Sequence, residues 1–364
     1  MRRWVAKALT LALAAGGLQG VWVADPAWAC GCGAMIPGSG GTVSVALEQA
    51  VVRFDGKTED IVMRFSMQSD VTQAAWVMPV PGPATVKLAD DALFDDVDAA
   101  EAPVADVHHY FWPHFGGESS GGAMAAAPQS ASAPAVQVLS DQRIGEFEVA
   151  NLAASDPHAL GDWLNQHGFP LKDSTAARLS AYTDQGWQFV AVRLATGNAA
   201  DLNGALDPIR ITFAAKNAVY PMRLSAGATT PQRVQVAVLA PHRMDDTTAP
   251  IASSIESSTF GDWIDPRTAG RALASLAGQR MFLTQYDALF DDPSLIDRDY
   301  EFAPAKSDVV QRDTYDEERL LTFLGIPVYL IVLAALLAGL VLFVRRVRRN
   351  RRTRPSRYFS VRTQ

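Results

Sequence analysis

Cysteine is scarce in this chain: Cys30 and Cys32 are the two that occur among its 364 residues. Small exported proteins that rely on disulfides carry many more, so no disulfide framework is needed to explain the stability of this one. In an oxidising compartment we expect a tight disulfide between the two thiols, or bonds with another chain. Soft-metal binding or thiol exchange by the same pair is the alternative.

Short motifs of common enzymes are also missing. The sequence has no His-Glu-x-x-His helix, no complete Gly-x-x-x-x-Gly-Lys-Ser/Thr loop, no strand-linked Gly-x-Gly-x-x-Gly and no Gly-x-Ser-x-Gly elbow between a strand and a helix. An enzyme is therefore less expected than a binding protein, although missing motifs do not exclude one. No catalytic or cofactor-binding residue is predicted.

Charge is absent from one long stretch near the C-terminus. The 22 residues from 323 to 344 are uncharged and rich in Leu, Val, Ile and Ala, and a helix of that length spans the hydrocarbon layer of a bilayer, about 30 Å. Gly325, Pro327 and Gly339 would weaken a helix in a soluble core, whereas glycine and proline are common in membrane spans. The sequence therefore predicts one transmembrane helix at 323–344.

Acidic residues are absent from everything that follows this stretch. Residues 345–364 contain nine arginines, and an excess of arginine beside a span marks its cytoplasmic side. The tail is therefore predicted to be cytoplasmic, with the rest of the chain outside. Anionic lipid head groups are the expected contacts of its basic side chains, namely Arg345, Arg346, Arg348, Arg349, Arg351 and Arg352.

The N-terminus has the pattern of a signal peptide, predicted at 1–29. A basic start precedes an apolar run at 8–23, and Ala27-Trp28-Ala29 places small residues at the two positions that a signal peptidase reads. Cleavage after Ala29 makes Cys30 the first mature residue. Sec and twin-arginine export both stay open.

Export leaves an acidic ectodomain. Of the 32 basic residues, nine lie in the tail and three in the signal peptide, which leaves 20 against 38 of the 39 acidic residues, a net charge of −18. Nucleic acid needs a basic surface and is not expected as a partner. The partners expected are the lipid bilayer and another envelope protein.

Hydrophobic patterning predicts an α+β fold that is rich in β-structure, with several antiparallel strands and a few short helices. Ile61–Met67 alternates as in a half-buried strand after a turn at Asp55-Gly56, and Trp187–Leu194 is apolar on both faces, as in a central strand. Prolines 79, 81 and 83 are expected to end the third strand, and 241–258 to form a loop. Strands are predicted at 50–54, 61–67, 74–78, 136–139, 145–149, 187–194, 208–214, 220–224, 233–239 and 279–286, and helices at 89–100, from Pro157 to before Gly168, from Asp173 or Ser174 to before Gly186, and at 266–277.

The ectodomain at 30–320 is predicted as one domain or as two lobes, 30–115 and 136–310. Residues 116–135, between these lobes, are almost entirely Gly, Ser, Ala and Pro. Such a composition buries too little apolar surface to offset the entropy of ordering, so a flexible loop is expected there.

Histidines cluster just before this loop. His108, His109 and His114 lie among aromatic residues, and three imidazoles can ligate copper or zinc. No partner with ligand spacing follows, so polar loop residues are the more ordinary interpretation. No cofactor is predicted, and copper or zinc at these histidines or at Cys30 and Cys32 is kept as the alternative.

Four stretches are similar to an uncharacterised family of exported, mainly actinobacterial proteins, catalogued as a domain of unknown function. They are Trp76–Pro81, the segment with Asp162-Trp163-Leu164 and Gly168-Phe169, the segment from Leu179 to Ala191 with Gly186-Trp187, and Tyr220–Leu224. Family members start with Cys-Gly after the signal peptide and often end with a C-terminal span. The resemblance covers most of 30–300 and implies no activity, cofactor or site.

These features predict a membrane-anchored envelope protein with its N-terminal domain outside and its tail in the cytoplasm. The favoured interpretation is a non-enzymatic binding or interaction module. The competing interpretation is an envelope thiol-redox or copper/zinc-handling protein that uses Cys30 and Cys32.

Overall fold

The computed structural model describes most of the chain between Gly33 and Arg352. The described residues are 33–38, 41–113, 142–144, 147–152, 157–171, 173–196, 198–248, 251 and 254–352. The predicted signal peptide, Cys30, Cys32, His114, the predicted loop at 116–135, the predicted strand at 136–139 and the tail beyond Arg352 lie outside the described residues.

Strands outnumber helices, so the predicted β-rich α+β class is confirmed. The strands are β1 Ala34–Pro37, β2 Val43–Phe54, β3 Thr58–Ser69, β4 Gln73–Val80, β5 Ala84–Leu88, β6 Val104–Tyr110, β7 Gln142–Ile144, β8 Phe147–Leu152, β9 Gln188–Ala195, β10 Gly204–Ala205, β11 Ile209–Ala214, β12 Ala218–Tyr220, β13 Gln232–Ala240, β14 Met244–Asp246, β15 Ser254–Ile264, β16 Met281–Phe290, β17 Tyr300–Pro304, β18 Thr314–Leu320, β19 Thr322–Phe323 and β20 Ile326–Pro327. The helices are α1 Ala92–Glu101, α2 Pro157–Gln166, α3 Asp173–Thr183, α4 Arg271–Ala277 and α5 Val328–Arg352.

The described residues divide into two compact units. The large unit contains those up to Ala102 and those from 142 to Arg312, and the small unit contains 103–113 and 313–352. Strands from before and after residues 116–135 therefore share the large unit, where β2 pairs with β13.

Two sheets form the centre of the large unit. One has five strands in the order β1-β4-β9-β8-β7, and the other has the order β15-β16-β13-β2-β3-β11-β5, with β10 on β3. The predicted hairpin is present, because β2 and β3 pair antiparallel and Gly56 takes a positive φ of 92° in their turn. The predicted central strand is β9, which pairs with β4 on one side and β8 on the other.

Side-chain alternation divides the apolar residues among three clusters. Ala50 and Val52 of β2 face a core that is shared by the two sheets, where Trp76 of β4 and Val192 of β9 also lie. Val51, between them, faces the other way and packs with α1 and α4. The outer face of the five-stranded sheet packs with α2 and α3. The large unit is therefore layered as helices, sheet, sheet and helices, because successive strand residues point to opposite faces.

Several predicted boundaries were wrong. The predicted strand at 220–224 ends at Tyr220, and a 3-10 helix follows at Arg223–Gly227, because Pro221 has no N–H to donate to a ladder. The predicted loop at 241–258 contains β14 and the start of β15, whose polar residues pair with β17 and β16. The predicted helix at 266–277 begins only at Arg271.

Proline did not end the third strand where expected. β4 runs through Pro79, which pairs with Phe189 of β9. On its other side β1 pairs only as far as Val77, so Pro79 lies where β4 is an edge strand on that side, a position in which proline is tolerated.

Candidate functional site

The small unit contains a helix that is long and apolar enough to cross a membrane. Within Val328–Asn350, the most apolar window of 18 residues has a mean hydropathy of 2.6, and none of that window is buried within the protein. Leu336 and Phe343 are each 65 % exposed. The described residues therefore leave the apolar side chains of this helix uncovered.

The helix begins five residues later than the sequence predicted. β19 and β20 pair just before it, and Leu324 and Gly325 between them take positive φ angles of 52° and 79°. The helix starts directly after Pro327 because proline is not accommodated in a helix interior. At its other end α5 continues through Arg345, Arg346, Arg348 and Arg349, and its backbone reaches Arg351 and Arg352.

A two-stranded ribbon leads into this helix. β6 pairs in parallel with β18, from Val104 opposite Thr314 to Tyr110 opposite Leu320. The Leu321 N–H donates to the Tyr110 carbonyl (2.8 Å), and the Val328 N–H at the start of α5 donates to the Leu321 carbonyl (2.8 Å). Backbone hydrogen bonds of Leu321 therefore link the end of β6 to the start of α5.

Aromatic rings gather at the start of α5. The rings of Trp112 and Tyr329 have centroids 5.7 Å apart, and Phe111 stands edge-on to Trp112 at 5.3 Å. Trp and Tyr are enriched where a membrane span meets water. Phe111 and Trp112 are evident in the sequence. Their position beside Tyr329 follows from the pairing of β6 with β18, which the sequence did not predict.

The ribbon places His108 between two carboxylates. The His108 Nε2 lies 3.6 Å from the Asp106 Oδ2 and 3.3 Å from the Asp316 Oδ1. One ligand atom from each of the three residues lies within 4.8 Å of the others. Asp106 and Asp316 are direct cross-strand partners in the ribbon. These three form the set that we call the ribbon cluster, and its two aspartates were not among the ligands proposed from the sequence.

Of the histidines proposed from the sequence, the structure describes His108 and His109, and it places them on opposite faces of β6. His108 and His109 are consecutive in β6, and consecutive strand residues point to opposite faces. His109 lies opposite Arg319 in the register, away from the ribbon cluster. Cys30, Cys32 and His114 lie outside the described residues.

A buried polar network in the large unit centres on Asp299. Its Oδ1 accepts from the Tyr182 hydroxyl (2.6 Å) and the Met222 N–H (2.7 Å), and its Oδ2 accepts from Arg223 Nε (2.9 Å). Burial raises the pKa of Tyr182, and the Asp299 charge beside it raises that pKa further. The network ties α3 to the 3-10 helix at Arg223–Gly227, so these residues act in the architecture.

The cavities near α1 and α4 are small. A cleft of about 150 Å³ lies beneath the two helices, with Arg210 and Asp90 among its lining residues. A second cavity of about 30 Å³ adjoins Glu101 and Gln285. Burial raises the pKa of Glu101 to about 7, and the charges of Asp98 and Asp287 add to that rise.

The chain was compared with protein families, curated proteins and solved structures. The sequence profile of a family described as an uncharacterized protein conserved in bacteria (DUF2330) matches residues 26–303. No curated protein matches the sequence. The crystal structure of baculovirus P35 aligns with a TM-score of 0.35 and 8 % identity, over 72 % of this chain and 98 % of that one, and neither fold nor function follows from that value.

Residues that carry the family resemblance lie mainly in the core. Trp76, Phe169, Tyr182 and Tyr220 are each at most 1 % exposed, so the pattern reports on packing. The match to 26–303 covers most of the chain, which therefore belongs to the DUF2330 family of uncharacterised conserved bacterial proteins.

Proposed function

We propose that this chain is a single-pass membrane protein that displays its large unit outside the cytoplasm as a non-enzymatic binding module. The observation that carries the proposal is the exposed apolar helix Val328–Asn350. A soluble protein would bury such a helix, because leaving its side chains in water forfeits about 25 cal/mol for each Å² of apolar surface.

Orientation is inferred from the arginines at the end of α5. Arg345, Arg346, Arg348 and Arg349 follow the apolar span directly, and arginine is retained on the cytoplasmic side of a membrane. Each basic residue near an anionic leaflet contributes about 1 kcal/mol of attraction. The large unit, on the N-terminal side of the span, is then outside, and the predicted signal peptide at 1–29 supplies the means of export.

The two cavities near α1 and α4 are smaller than usual small-molecule sites, which supports the binding of a macromolecule at this part of the large unit. Small-molecule sites usually enclose roughly 300–1,000 Å³, whereas the cleft beneath α1 and α4 has about 150 Å³ and the cavity at Glu101 about 30 Å³. The Asp299 carboxylate is committed to structural hydrogen bonds. Another envelope protein is the partner that fits an exposed module of this kind.

A second candidate function is metal handling in the envelope. The ribbon cluster favours it, because an imidazole and two carboxylates lie within ligand distance of one another. The thiol-redox form of this candidate rests on Cys30 and Cys32, and their spacing in the sequence is its support.

Membrane anchoring is tested by removing residues 313–364, which include α5. We expect the full chain to stay with membranes after washing with alkaline carbonate, and a chain that ends at Arg312 to appear in the soluble extracytoplasmic fraction. As a matched control, replacing Leu336, Leu340 and Phe343 by three other apolar residues preserves the span and should preserve membrane retention. Release of the full chain by carbonate would contradict the proposal.

The binding role is tested by cross-linking in intact cells. We expect a discrete adduct between the anchored chain and an envelope protein, formed through the large unit. The control is a chimera that keeps 313–364 but carries an unrelated exported domain, which should give no such adduct. If the chimera forms the same adduct, the contact is made by residues 313–364, which contradicts a binding role for the large unit.

A further inference from the structure

We propose that the ribbon cluster, Asp106, His108 and Asp316, is a binding site for a divalent transition-metal ion, with Zn²⁺ as the ion that fits best. The ion would join β6 to β18 and so fix the ribbon that leads into α5. The site is separate from Cys30 and Cys32, and it does not depend on the binding role proposed for the large unit.

Two of the three distances between ligand atoms in the cluster match a tetrahedral ion. Zinc bonds to nitrogen and oxygen of about 2.0–2.2 Å place neighbouring ligand atoms about 3.3–3.6 Å apart. The His108 Nε2 lies 3.3 Å from the Asp316 Oδ1 and 3.6 Å from the Asp106 Oδ2. All three ligand atoms lie within 4.8 Å of one another, so adjustment of the exposed side chains would seat an ion between them.

Backbone register explains why the three side chains share one face. Asp106 and His108 are two residues apart in β6, so they point the same way. Asp316 lies directly opposite Asp106 in the parallel ladder, so its side chain joins the same face. The ligands come from segments more than 200 residues apart in the chain, and a bound ion would cross-link them.

Electrostatics of the bare ribbon favour a cation at this position. Asp106 and Asp316 are like charges directly opposite each other, and Glu318 lies opposite His108 on the same face. Like charges in cross-strand pairs destabilise a sheet. A divalent ion replaces that repulsion with attraction to both carboxylates.

A two-stranded ribbon also needs such support. Isolated two-stranded β-structure is marginally stable in water, and parallel pairs are weaker than antiparallel ones. β6 and β18 form a sheet of their own in the part of the chain that the structure describes. Metal binding is thus expected to order the segment from which α5 emerges.

The chemistry of the donors selects the class of ion. An imidazole with two carboxylates suits Zn²⁺ and its divalent neighbours, whereas Cu(I) prefers thiolates and thioethers. Ca²⁺ and Mg²⁺ prefer oxygen-only sites with six or more ligands. The three side chains are exposed, so the ion would keep water in its remaining positions, as open zinc sites do.

Zinc titration of the purified full chain in detergent tests the site. The protein carries Cys30→Ser and Cys32→Ser, so that thiols contribute nothing to binding. We expect one Zn²⁺ per chain with affinity reduced about ten-fold or more by His108→Ala or Asp316→Asn, because loss of even an outer-shell partner costs roughly 10- to 100-fold. His109→Ala, on the opposite face of β6, is the matched control and should change the affinity less than two-fold.

Hydrogen exchange provides the second readout. Zinc should slow exchange of the amides at 104–110 and 314–320 in the parent protein and in His109→Ala, while the same concentration of Mg²⁺ should not. The proposal is overturned if His108→Ala and Asp316→Asn bind zinc as tightly as the parent, if the parent binds none, or if Mg²⁺ protects the ribbon equally. These variants alter exposed side chains, and unchanged circular dichroism will verify that they fold.

Discussion

At the scale of single residues, two carboxylates of the large unit, Asp299 and Glu101, differ in how their charge is compensated. Asp299 is 9 % exposed and accepts from a hydroxyl, two backbone N–H groups and a guanidinium, so its charge is fully compensated. Glu101 lies at the C-terminal end of α1, and its Oε1 is buried without a hydrogen-bond partner among the described residues. Burial and the negative end of the helix dipole both oppose its ionisation.

Loss of the Asp299 charge should destabilise the large unit. Asp299→Asn leaves the partly buried Arg223 without its counter-charge, and breaking a buried ion pair costs about 3–5 kcal/mol. Asp297→Asn is the control, since Asp297 is exposed and water screens its ion pair with Arg298, so this substitution should change stability little. Urea unfolding measures both free energies. Equal losses in the two variants would show that the network around Asp299 is not the stabilising feature.

Glu101 should make stability depend on pH. Its folded pKa of about 7 lies above the unfolded value near 4.5, so the folded state holds a proton that the unfolded state has released. Stability is therefore lost as pH rises from about 4.5 to about 7. At pH 8 the free energy of unfolding of Glu101→Gln should exceed that of the parent protein by roughly 2 kcal/mol. This difference should shrink at pH 4.5. A constant difference at both pH values would contradict this assignment.

At the scale of elements, the same six residues form two different structures. Asp-Ala-Leu-Phe-Asp-Asp at 91–96 opens α1, whereas the copy at 287–292 ends β16. In the first copy Leu93 and Phe94 are buried against the outer face of a sheet, and in the second Ala288 and Phe290 belong to the core between the sheets. Tertiary packing therefore decides whether this hexapeptide forms helix or strand. For the same reason, local sequence patterns predicted the buried strands well but missed β14, β15 and β18, whose pairing depends on distant segments.

The α4 helix is expected to depend on one apolar face. Leu273 is fully buried, while Ser275 on the same helix is exposed. Leu273→Ala should lower the free energy of unfolding by about 2–5 kcal/mol because it leaves a cavity, and Ser275→Ala should change it by about 0.5 kcal/mol or less. Thermal or urea unfolding gives both values. A small loss for Leu273→Ala would mean that α4 does not support the core.

At the scale of the whole molecule, the sequence predicted the β-rich class and the central strand β9, because burial leaves a periodic or continuous apolar pattern. It also predicted the C-terminal helix, from a long apolar run without charge. It could not predict that β6 pairs with β18. That pairing joins exposed, polar strands of distant segments, and polar strands carry little periodic signal. Asp106 and Asp316 therefore remained unconnected to His108 until the register of the ribbon was known.

The most direct test of membrane display is protease protection of a chain tagged at both the large unit and the C-terminus. In intact spheroplasts, protease should destroy the tag in the large unit and spare the C-terminal tag, which should be cut only after detergent is added, because the arginines that follow the span hold the tail inside. Replacing Arg345, Arg346, Arg348 and Arg349 by Lys should preserve this result. Loss of the C-terminal tag from intact spheroplasts, or survival of both tags, would contradict the proposed orientation.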